Sequence, residues 1–322
     1  MFGKDIAIAL AIYMVLIFGL LFVFDYRLPF LAALLLYAVV YAVVASIMAR
    51  LGRNKDVEEQ GEVPEELPTS GPIGRFGQTG LIFSFTVTGL FSLLNPFQLT
   101  QMILQMIGNL WLQIRGGQNK QDELPANKVK YRLPFSGEWY IYNGGVTQEK
   151  SHSWGVLTQR FAYDFVQVDA QMRRHSGNGT DLNDYFCFGE EIVAAADGTV
   201  VKVVDRVRSA PFVGYGIVDF LATSFIGNHV IIKHAEGEFG LYAHLIKGTI
   251  PVQVGDEVKQ GQAIGQCGHS GHSSEPHLHF HLQDRRNFYF AMGLPIAFNH
   301  LLVNREEVET RYVEAGDVVQ NF

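Results

Sequence analysis

The stretch GHSGHSSEPHLHFH at residues 268–281 joins a turn rich in glycine and serine to a run of alternating histidines and apolar residues. Successive side chains of a β-strand point to opposite faces, so His277, His279 and His281 are predicted to share one face while the apolar residues between them enter the core. Neutral imidazole is the commonest metal ligand and titrates near neutral pH. The stretch therefore predicts a strand that carries a metal or proton-transfer site. His281, furthest along the strand, is left outside the predicted ligand set.

Short β-like runs separated by glycine turns surround this stretch from about residue 130 onward. Residues 199–204 follow Asp197-Gly198, and the runs 230–234 and 241–245 flank a polar turn. Closely spaced hairpins of this kind predict an antiparallel β domain.

Three further residues are candidates for the same site. Tyr242 and His244 are two positions apart, which on a regular strand places both side chains on one face. Asp164 lies in an otherwise apolar run, where a buried carboxylate is costly unless it coordinates a cation or forms an ion pair, here with Arg160. A zinc site with open coordination takes three ligands from His, Asp, Glu or Cys and keeps one position for water. These residue types therefore predict a Zn²⁺ site.

Six motifs occur in a fixed order along residues 131–296. They are Phe161-Ala162-Tyr163-Asp164, Ile192-Val193-Ala194 with Asp197-Gly198, Gly227-Asn228-His229-Val230, Tyr242-Ala243-His244-Leu245, Gly255-Asp256 with Gly261-Gln262, and Pro276-His277-Leu278-His279-Phe280. Together they resemble the lysostaphin-type (LytM-like) zinc metallopeptidases that cut peptidoglycan peptides. The resemblance implies a mainly β catalytic domain, with an antiparallel sheet related to barrel-sandwich hairpins.

The same resemblance assigns roles to individual residues. It implies zinc ligation by Asp164 and His279 and catalytic roles for His277 and His244. Tyr242 and Asn228 are the candidates for holding the substrate, although Asn228 fits a turn-shaping role equally well.

The ligand set departs from the family at one position. The family's first ligand is a histidine four residues before the aspartate, and this chain has Arg160 there, which has no acceptor atom. We expect His152, the only histidine upstream of Asp164, to replace it. His175, or no third histidine at all, are the alternatives.

The chain as a whole has a hydrophobic fraction of 48%, a charged fraction of 18% and a formal net charge of −7. The acidic balance argues against nucleic-acid binding. Two cysteines, Cys187 and Cys267, are too few for a disulfide scaffold, but they could pair outside the cytoplasm.

The low charge reflects charge-free runs at residues 6–24 and 28–49, each long enough to cross a bilayer. We predict a transmembrane hairpin at residues 1–50, an acidic linker at 51–75, and a third span or re-entrant segment with an amphipathic helix at 76–115. These segments are followed by a linker at 116–130, the catalytic domain at 131–296 and a C-terminal extension at 297–322.

The predicted function is a membrane-anchored zinc metalloendopeptidase that hydrolyses peptide bonds in peptidoglycan. Lys/Arg counts favour a cytoplasmic N-terminus, so an extracytoplasmic catalytic domain requires residues 76–95 to cross the membrane. Peptidoglycan peptides and membrane lipid are the expected partners, and the oligomeric state is left open. One alternative is a catalytically silent LytM-like domain that binds cell wall or regulates a hydrolase. Another is a biotin or lipoyl carrier, suggested by the hairpin at 248–262, although no lysine attachment motif occurs.

Overall fold

The computed structural model describes residues 70–115, 124 and 126–322. The predicted membrane hairpin at 1–50 lies outside the described residues, as do most of the linker at 51–75 and more than half of the linker at 116–130. Two α-helices are described, α1 (Gly77–Ser92) and α2 (Pro96–Ile114), and three 3-10 helices, Pro72–Phe76, Leu182–Asp184 and Phe288–Phe290. The strands are β1 (Trp139–Asn143), β2 (Tyr163–Val166), β3 (Glu191–Val193), β4 (Gly198–Val204), β5 (Asn228–Ala235), β6 (Glu238–Leu245), β7 (Glu257–Val258), β8 (Ala263–Gln266), β9 (Leu278–Gln283), β10 (Gly293–Leu294), β11 (Phe298–Val303), β12 (Glu306–Arg311) and β13 (Val318–Asn321).

One large sheet organises the domain, and the paired strands within it are antiparallel. Its strand order is β12-β11-β13-β1-β2-β9-β6-β5-β4-β7, with β10 paired to β9, and β3 and β8 form a separate pair. The prediction of a mainly antiparallel β domain is therefore confirmed. The strands β2, β9 and β6 lie side by side in the sheet. They carry the candidate site residues Asp164, His279, Tyr242 and His244, and His277 immediately precedes β9.

The hydrophobic core covers one face of the central strands. Tyr163, Phe165, Tyr242 and Phe280 all have no exposed surface and belong to one buried cluster. The alternation predicted for β9 is observed, since Phe280 lies in this cluster while His279 faces the other side with Asp164. This opposite face carries the candidate site.

The predicted boundary at residue 296 is wrong, because the chain beyond it completes the sheet. β13 pairs with both β1 and β11, which places it between an early and a late strand. Phe298 and Val319 have no exposed surface and pack in the main cluster. Residues 297–322 are thus part of the β domain rather than an extension.

Helices α1 and α2 form a bent pair on the surface of the β domain. Helix α1 ends at Ser92, and Asn95 caps α2 by accepting a hydrogen bond from Phe97 N, with Pro96 in the first turn of α2. The described residues contain no single helix that is long and apolar enough to span a membrane. Together, α1 and α2 have the length and composition of a span, but they are bent by 98° relative to each other.

The structure does not support residues 76–95 as an independent third span. Helix α1 has 16 residues and lies along the β domain, where Ser84 Oγ donates to Tyr215 O over 2.8 Å and Thr88 Oγ1 accepts from Val218 N over 3.4 Å. A helix bonded to the domain along its length cannot at the same time be surrounded by lipid. The end of the predicted linker is also ordered, since the buried Ser70 accepts a hydrogen bond from Arg174.

Candidate active site

Asp164 and His279 meet because their strands are neighbours in register. Asp164 on β2 is paired with His279 on β9, and His279 is in turn paired with Ala243 on β6. Directly opposed residues of antiparallel strands point to the same face. His279 Nδ1 lies 2.9 Å from Asp164 Oδ1, and both residues are buried.

Two more histidines and an amide surround the Asp164 carboxylate. His277, just before β9, places Nε2 3.6 Å from Oδ1, and His152, in a loop before β2, places Nε2 3.5 Å from Oδ2. Asn143 on β1 donates its Nδ2 to Oδ2 over 3.0 Å. The structure thus brings His152, predicted from its position in sequence, to the carboxylate. Asn143 was missed, because only the pairing of β1 with β2 places it there.

His244 reaches the site through a local backbone conformation rather than through strand alternation. Its φ of 62° lies in the left-handed region, which is unusual for a residue other than glycine and is often found at functional sites. Its ring centroid is 4.7 Å from that of His277 and 5.8 Å from that of His279. Its Nδ1 lies 2.7 Å from the carbonyl of Ser270 and donates to it, which leaves the Nε2 lone pair free.

The prediction that Tyr242 shares a face with His244 is wrong. Tyr242 has no exposed surface, lies in the core cluster and accepts a hydrogen bond at its hydroxyl from Ala195 N over 2.9 Å. The left-handed turn at His244 is the reason that residues two apart point to opposite sides. A side chain held in this way has no surface to offer a substrate.

Asn228 is also a structural residue. It has no exposed surface, donates its Nδ2 to the carbonyls of Val207 and Leu245, and accepts from Val207 N. These bonds join the loop after β4 to the end of β6. The turn-shaping role is the one observed, and the predicted substrate contact is corrected.

The remaining ligand alternative, His175, takes part in a different contact. The Nε2 of His175 accepts a hydrogen bond from Gly71 N over 3.2 Å, and the backbone of His175 forms a β-bridge with Tyr185. Arg160, the position where the family has its first ligand, donates Nε to Trp154 O and lies over the Trp154 ring.

A buried chain of hydrogen bonds continues from His279 along β9. His279 Nε2 is 3.1 Å from His281 Nδ1, and His281 Nε2 is 2.9 Å from Gln283 Oε1. The Gln283 amide is oriented by its Nε2, which donates to Arg285 O over 2.7 Å. Gln283 Oε1 therefore accepts from His281 Nε2, so His281 Nδ1 carries a lone pair and accepts from His279 Nε2.

This chain assigns the tautomer of His279. With its proton on Nε2, His279 directs the Nδ1 lone pair at a carboxylate oxygen 2.9 Å away. Two acceptors at this distance repel each other in a buried site unless a cation or an additional proton lies between them. The arrangement is that of a metal ligand whose second nitrogen is held by an outer partner.

The charge distribution of the site supports the same conclusion. Burial of Asp164 disfavours its charged form, but the neighbouring imidazoles of His152, His277 and His279 outweigh it and hold the Asp164 pKa well below the usual range. Burial, reinforced by His277 and His279, lowers the pKa of His244 well below its usual value. The site thus pairs an ionised carboxylate with a neutral imidazole.

The donors fit a zinc ion in number, type and spacing. Ligand nitrogens of His244, His277 and His279 all lie within 4.8 Å of one another, and Asp164 and His152 extend the group. The distances from Asp164 to the two other residues of the proposed ligand set, 2.9 Å to His279 and 3.5 Å to His152, bracket the edge of about 3.3 Å expected between tetrahedral ligands with metal bonds of about 2.0–2.1 Å. His152, Asp164 and His279 would hold the ion, with His244 and His277 beside it.

Comparison with known proteins finds a family match and relatives for part of the chain. Residues 175–289 match Peptidase family M23. The chain is 33% identical to the peptidoglycan DD-endopeptidase ShyA of Vibrio cholerae over 163 residues, which is 49% of this chain and 33% of that protein. It is 32% identical to the murein hydrolase activator EnvC of Escherichia coli over 95 residues, 29% of this chain and 20% of that protein. The chain therefore spans a third or less of the length of these relatives.

Among solved structures, the catalytic domain of lysostaphin from Staphylococcus simulans aligns with 49% of this chain and 88% of that domain, at 20% identity and a TM-score of 0.27. The prediction of a lysostaphin-type domain is confirmed at the level of a peptidase M23 domain with peptidoglycan endopeptidases among its homologues. His152 and Asp164 precede the segment that matches the family model, so that match does not cover them.

Proposed function

We propose that this protein uses its peptidase M23 domain as a zinc metalloendopeptidase that hydrolyses peptide bonds in peptidoglycan. The observation that carries the proposal is the buried Asp164 carboxylate with imidazole nitrogens of His152, His277 and His279 within 3.6 Å. The family match of residues 175–289 and the similarity to ShyA support the substrate class.

When bound, Zn²⁺ would supply Lewis-acid polarisation of the scissile carbonyl and would make a water more acidic. His152, Asp164 and His279 are the residues that would hold it. His244 and His277 both donate Nδ1 to a backbone carbonyl, Ser270 and Glu275 respectively, so each presents an Nε2 lone pair.

These two imidazoles perform the proton transfers in the proposed reaction. One Nε2 accepts a proton from the attacking water, and the resulting imidazolium returns a proton to the nitrogen of the departing amine. The other Nε2, which is also a hydrogen-bond acceptor, accepts a hydrogen bond from the attacking water and orients it. The backbone carbonyls that hold Nδ1 keep each ring in the productive orientation.

The alternative is a catalytically silent domain that regulates another hydrolase. The murein hydrolase activators EnvC and NlpD among the relatives favour it. The experiment that separates the two is digestion of purified sacculi by the full-length chain, with zinc content measured in parallel.

We expect wild type to bind zinc and release muropeptides, and His277→Ala to keep its zinc but lose about 10²–10⁴-fold in rate. His300→Ala, at an exposed histidine on β11, is the matched control and should behave as wild type. Zinc-loaded wild type that leaves sacculi intact, while a known hydrolase digests them, would overturn the proposal. Stimulation of that hydrolase without cleavage would support the alternative.

We also propose an extracytoplasmic catalytic domain on a multi-pass membrane anchor, since peptidoglycan lies outside the membrane. With α1 bonded to the β domain, any crossing must precede Ser70. If residues 6–24 and 28–49 both cross, the N-terminus then also faces outward, opposite to the orientation that the Lys/Arg counts predict. Added protease should remove both N- and C-terminal tags from wall-stripped cells, and a protected C-terminal tag would contradict the proposal.

A further inference from the structure

The helix pair formed by α1 and α2 exposes its apolar side chains. Met106 is 67% exposed, Leu110 57% and Ile114 77%. The other large apolar residues exposed on these helices and at their ends are Phe76, Phe83, Phe85, Phe91, Leu94, Phe97, Leu99, Met102, Ile103 and Ile107. We call this set the apolar platform. Soluble proteins rarely expose large apolar surfaces unless these bind a membrane or a partner.

Four of the six polar side chains of α2 point toward the β domain, which is the reverse of an ordinary surface helix, while Thr100 and Gln113 are exposed. Gln98, which has no exposed surface, donates Nε2 to Asp219 O over 2.6 Å and to Ala222 O over 3.1 Å. Gln101 donates to Thr223 O and accepts from Phe225 N.

The inward contacts continue at the far end of α2. Gln105 donates to Thr158 Oγ1, and Asn109 donates to Gly155 O and accepts from Leu157 N. The amides thus hold α2 to two loops of the β domain over most of its length, while the described residues leave much of its apolar side uncovered.

Charge and position indicate that the uncovered side faces lipid. Residues 76–114 carry no charged side chain, and Arg75 and Arg115 flank them. The guanidinium of Arg115 lies 4.4 Å above the Trp111 ring, and that of Arg285 lies 5.2 Å from the same ring. Aromatic and cationic residues at the edge of an apolar surface are typical of membrane interfaces.

The chain before the described structure places a bilayer within reach. Ser70, where the description begins, is preceded by the two charge-free runs at 6–24 and 28–49. Helices α1 and α2 have 16 and 19 residues, so at 1.5 Å per residue they are about 24 and 28 Å long. Each is shorter than a hydrocarbon core of about 30 Å. The bend of 98° between them prevents the pair from forming one straight span.

We propose that the apolar platform docks onto the lipid bilayer. The platform lies in the membrane interface without crossing the membrane, and it holds the β domain in one orientation. Because α2 is bonded to the β domain, the depth of the platform sets the height of the histidine site. Phe85 of the platform contacts His272, with ring centroids 6.2 Å apart, in the loop that leads to His277. This inference does not depend on the proposed hydrolysis.

The test uses a benzophenone-bearing phenylalanine in place of Met106 or Leu110 in the full-length chain, reconstituted into vesicles of phosphatidylethanolamine and phosphatidylglycerol. Irradiation should yield phospholipid adducts, identified by mass, at both positions. The same amino acid in place of Glu307, exposed on β12, is the control and should give none.

An adduct between two copies of the chain would overturn the proposal in favour of a dimer interface. Lack of lipid adducts at both platform positions would also overturn it, provided that each variant binds zinc and melts as wild type does. Replacing an exposed apolar residue by a larger one leaves the core untouched, so folding is expected to be retained.

Discussion

At the residue scale, the site depends on a few side chains whose second polar atom is held in place. The Nδ1 atoms of His244 and His277 are held by backbone carbonyls, and His279 is held through His281 and Gln283. Outer partners of this kind determine the tautomer and raise the basicity of metal-binding imidazoles. The histidines on one face of β9 are therefore a connected unit, in which His281 is a positioning residue.

We expect Gln283→Met to weaken zinc binding about 10–100-fold, because His281 loses the acceptor that assigns its tautomer and so no longer orients His279. Competition with a chromogenic chelator measures the affinity. Gln266→Met, at an exposed position on β8, is the matched control and should match wild type. Equal zinc affinity in all three proteins would show that the chain from His279 to Gln283 does not act on the metal.

His229 provides a second residue-scale prediction, on pH and stability. It is 2% exposed, and burial, aided by the charge of Lys202, lowers its pKa to about 3 from an ordinary value near 6.5. Between these pH values the unfolded chain binds a proton that the folded chain excludes. The free energy of unfolding should therefore fall as the pH falls through this window, by at most about 1.4 kcal/mol per pH unit from this group.

The measurement compares wild type with His229→Gln, whose amide can still donate to the Gly227 carbonyl that His229 Nδ1 contacts over 2.8 Å. The thermal midpoint of the metal-free protein should drop less steeply between about pH 6 and about pH 4 in the variant. Parallel curves for the two proteins would refute the assignment.

At the element scale, the contact between α2 and the 3-10 helix Phe288–Phe290 depends on a glycine. A Cβ added at Gly108 would lie 1.8 Å from the backbone oxygen of Tyr289, closer than any real contact. Tyr289 Oη also donates to Gln101 Oε1 over 2.9 Å. Close backbone approach here is what brings the amide side chains of α2 within reach of the domain.

We expect Gly108→Ala to destabilise the packing of α2 by about 1–3 kcal/mol through this overlap with backbone atoms. Hydrogen exchange of α2 amides, which should become faster, reports the effect locally. Gly89→Ala on α1 is the control, since its added Cβ meets nothing within 4 Å and alanine favours a helix by about 1 kcal/mol over glycine. Unchanged exchange in Gly108→Ala would contradict the observed packing.

At the scale of the whole molecule, the C-terminal strands close the sheet against its earliest strand. Asn321 on β13 donates Nδ2 to Leu133 O and Phe135 O and accepts from Leu133 N. Val303 and Val319 pack in the main core cluster. A chain that ends at residue 296 therefore leaves β1 without a partner on one side and opens the core.

We expect deletion of residues 297–322 to prevent folding of the β domain, whereas removal of Phe322 alone, which is 60% exposed, should be tolerated. Limited proteolysis of the two truncated chains distinguishes the outcomes, because an unfolded domain is cut throughout. A resistant fragment that ends near residue 296 would restore the boundary that the motifs suggested.

Cys187 and Cys267, whose pairing the sequence left open, are both buried as free thiols. Cys187 Sγ donates to Pro276 O over 3.2 Å, next to His277. A disulfide between the two cysteines would persist only outside the cytoplasm.

The sequence by itself determined the antiparallel β class, the alternation that separates His279 from Phe280, and Asp164 and His152 as candidates. The β class and the alternation follow from local periodicity, and Asp164 follows from the chemistry of a buried carboxylate. His152 follows from the resemblance to lysostaphin-type peptidases, whose first ligand is replaced here by Arg160. Only the tertiary structure decided that His244 turns toward His279 while Tyr242 enters the core, because a single left-handed φ reverses strand alternation. It also decided that Asn143 and Gln283 join the site, that residues 297–322 complete the sheet, and that α2 directs Gln98, Gln101 and Gln105 toward the β domain. Each of these depends on which strands and loops become neighbours, and such neighbours lie too far apart in sequence for any local pattern to record.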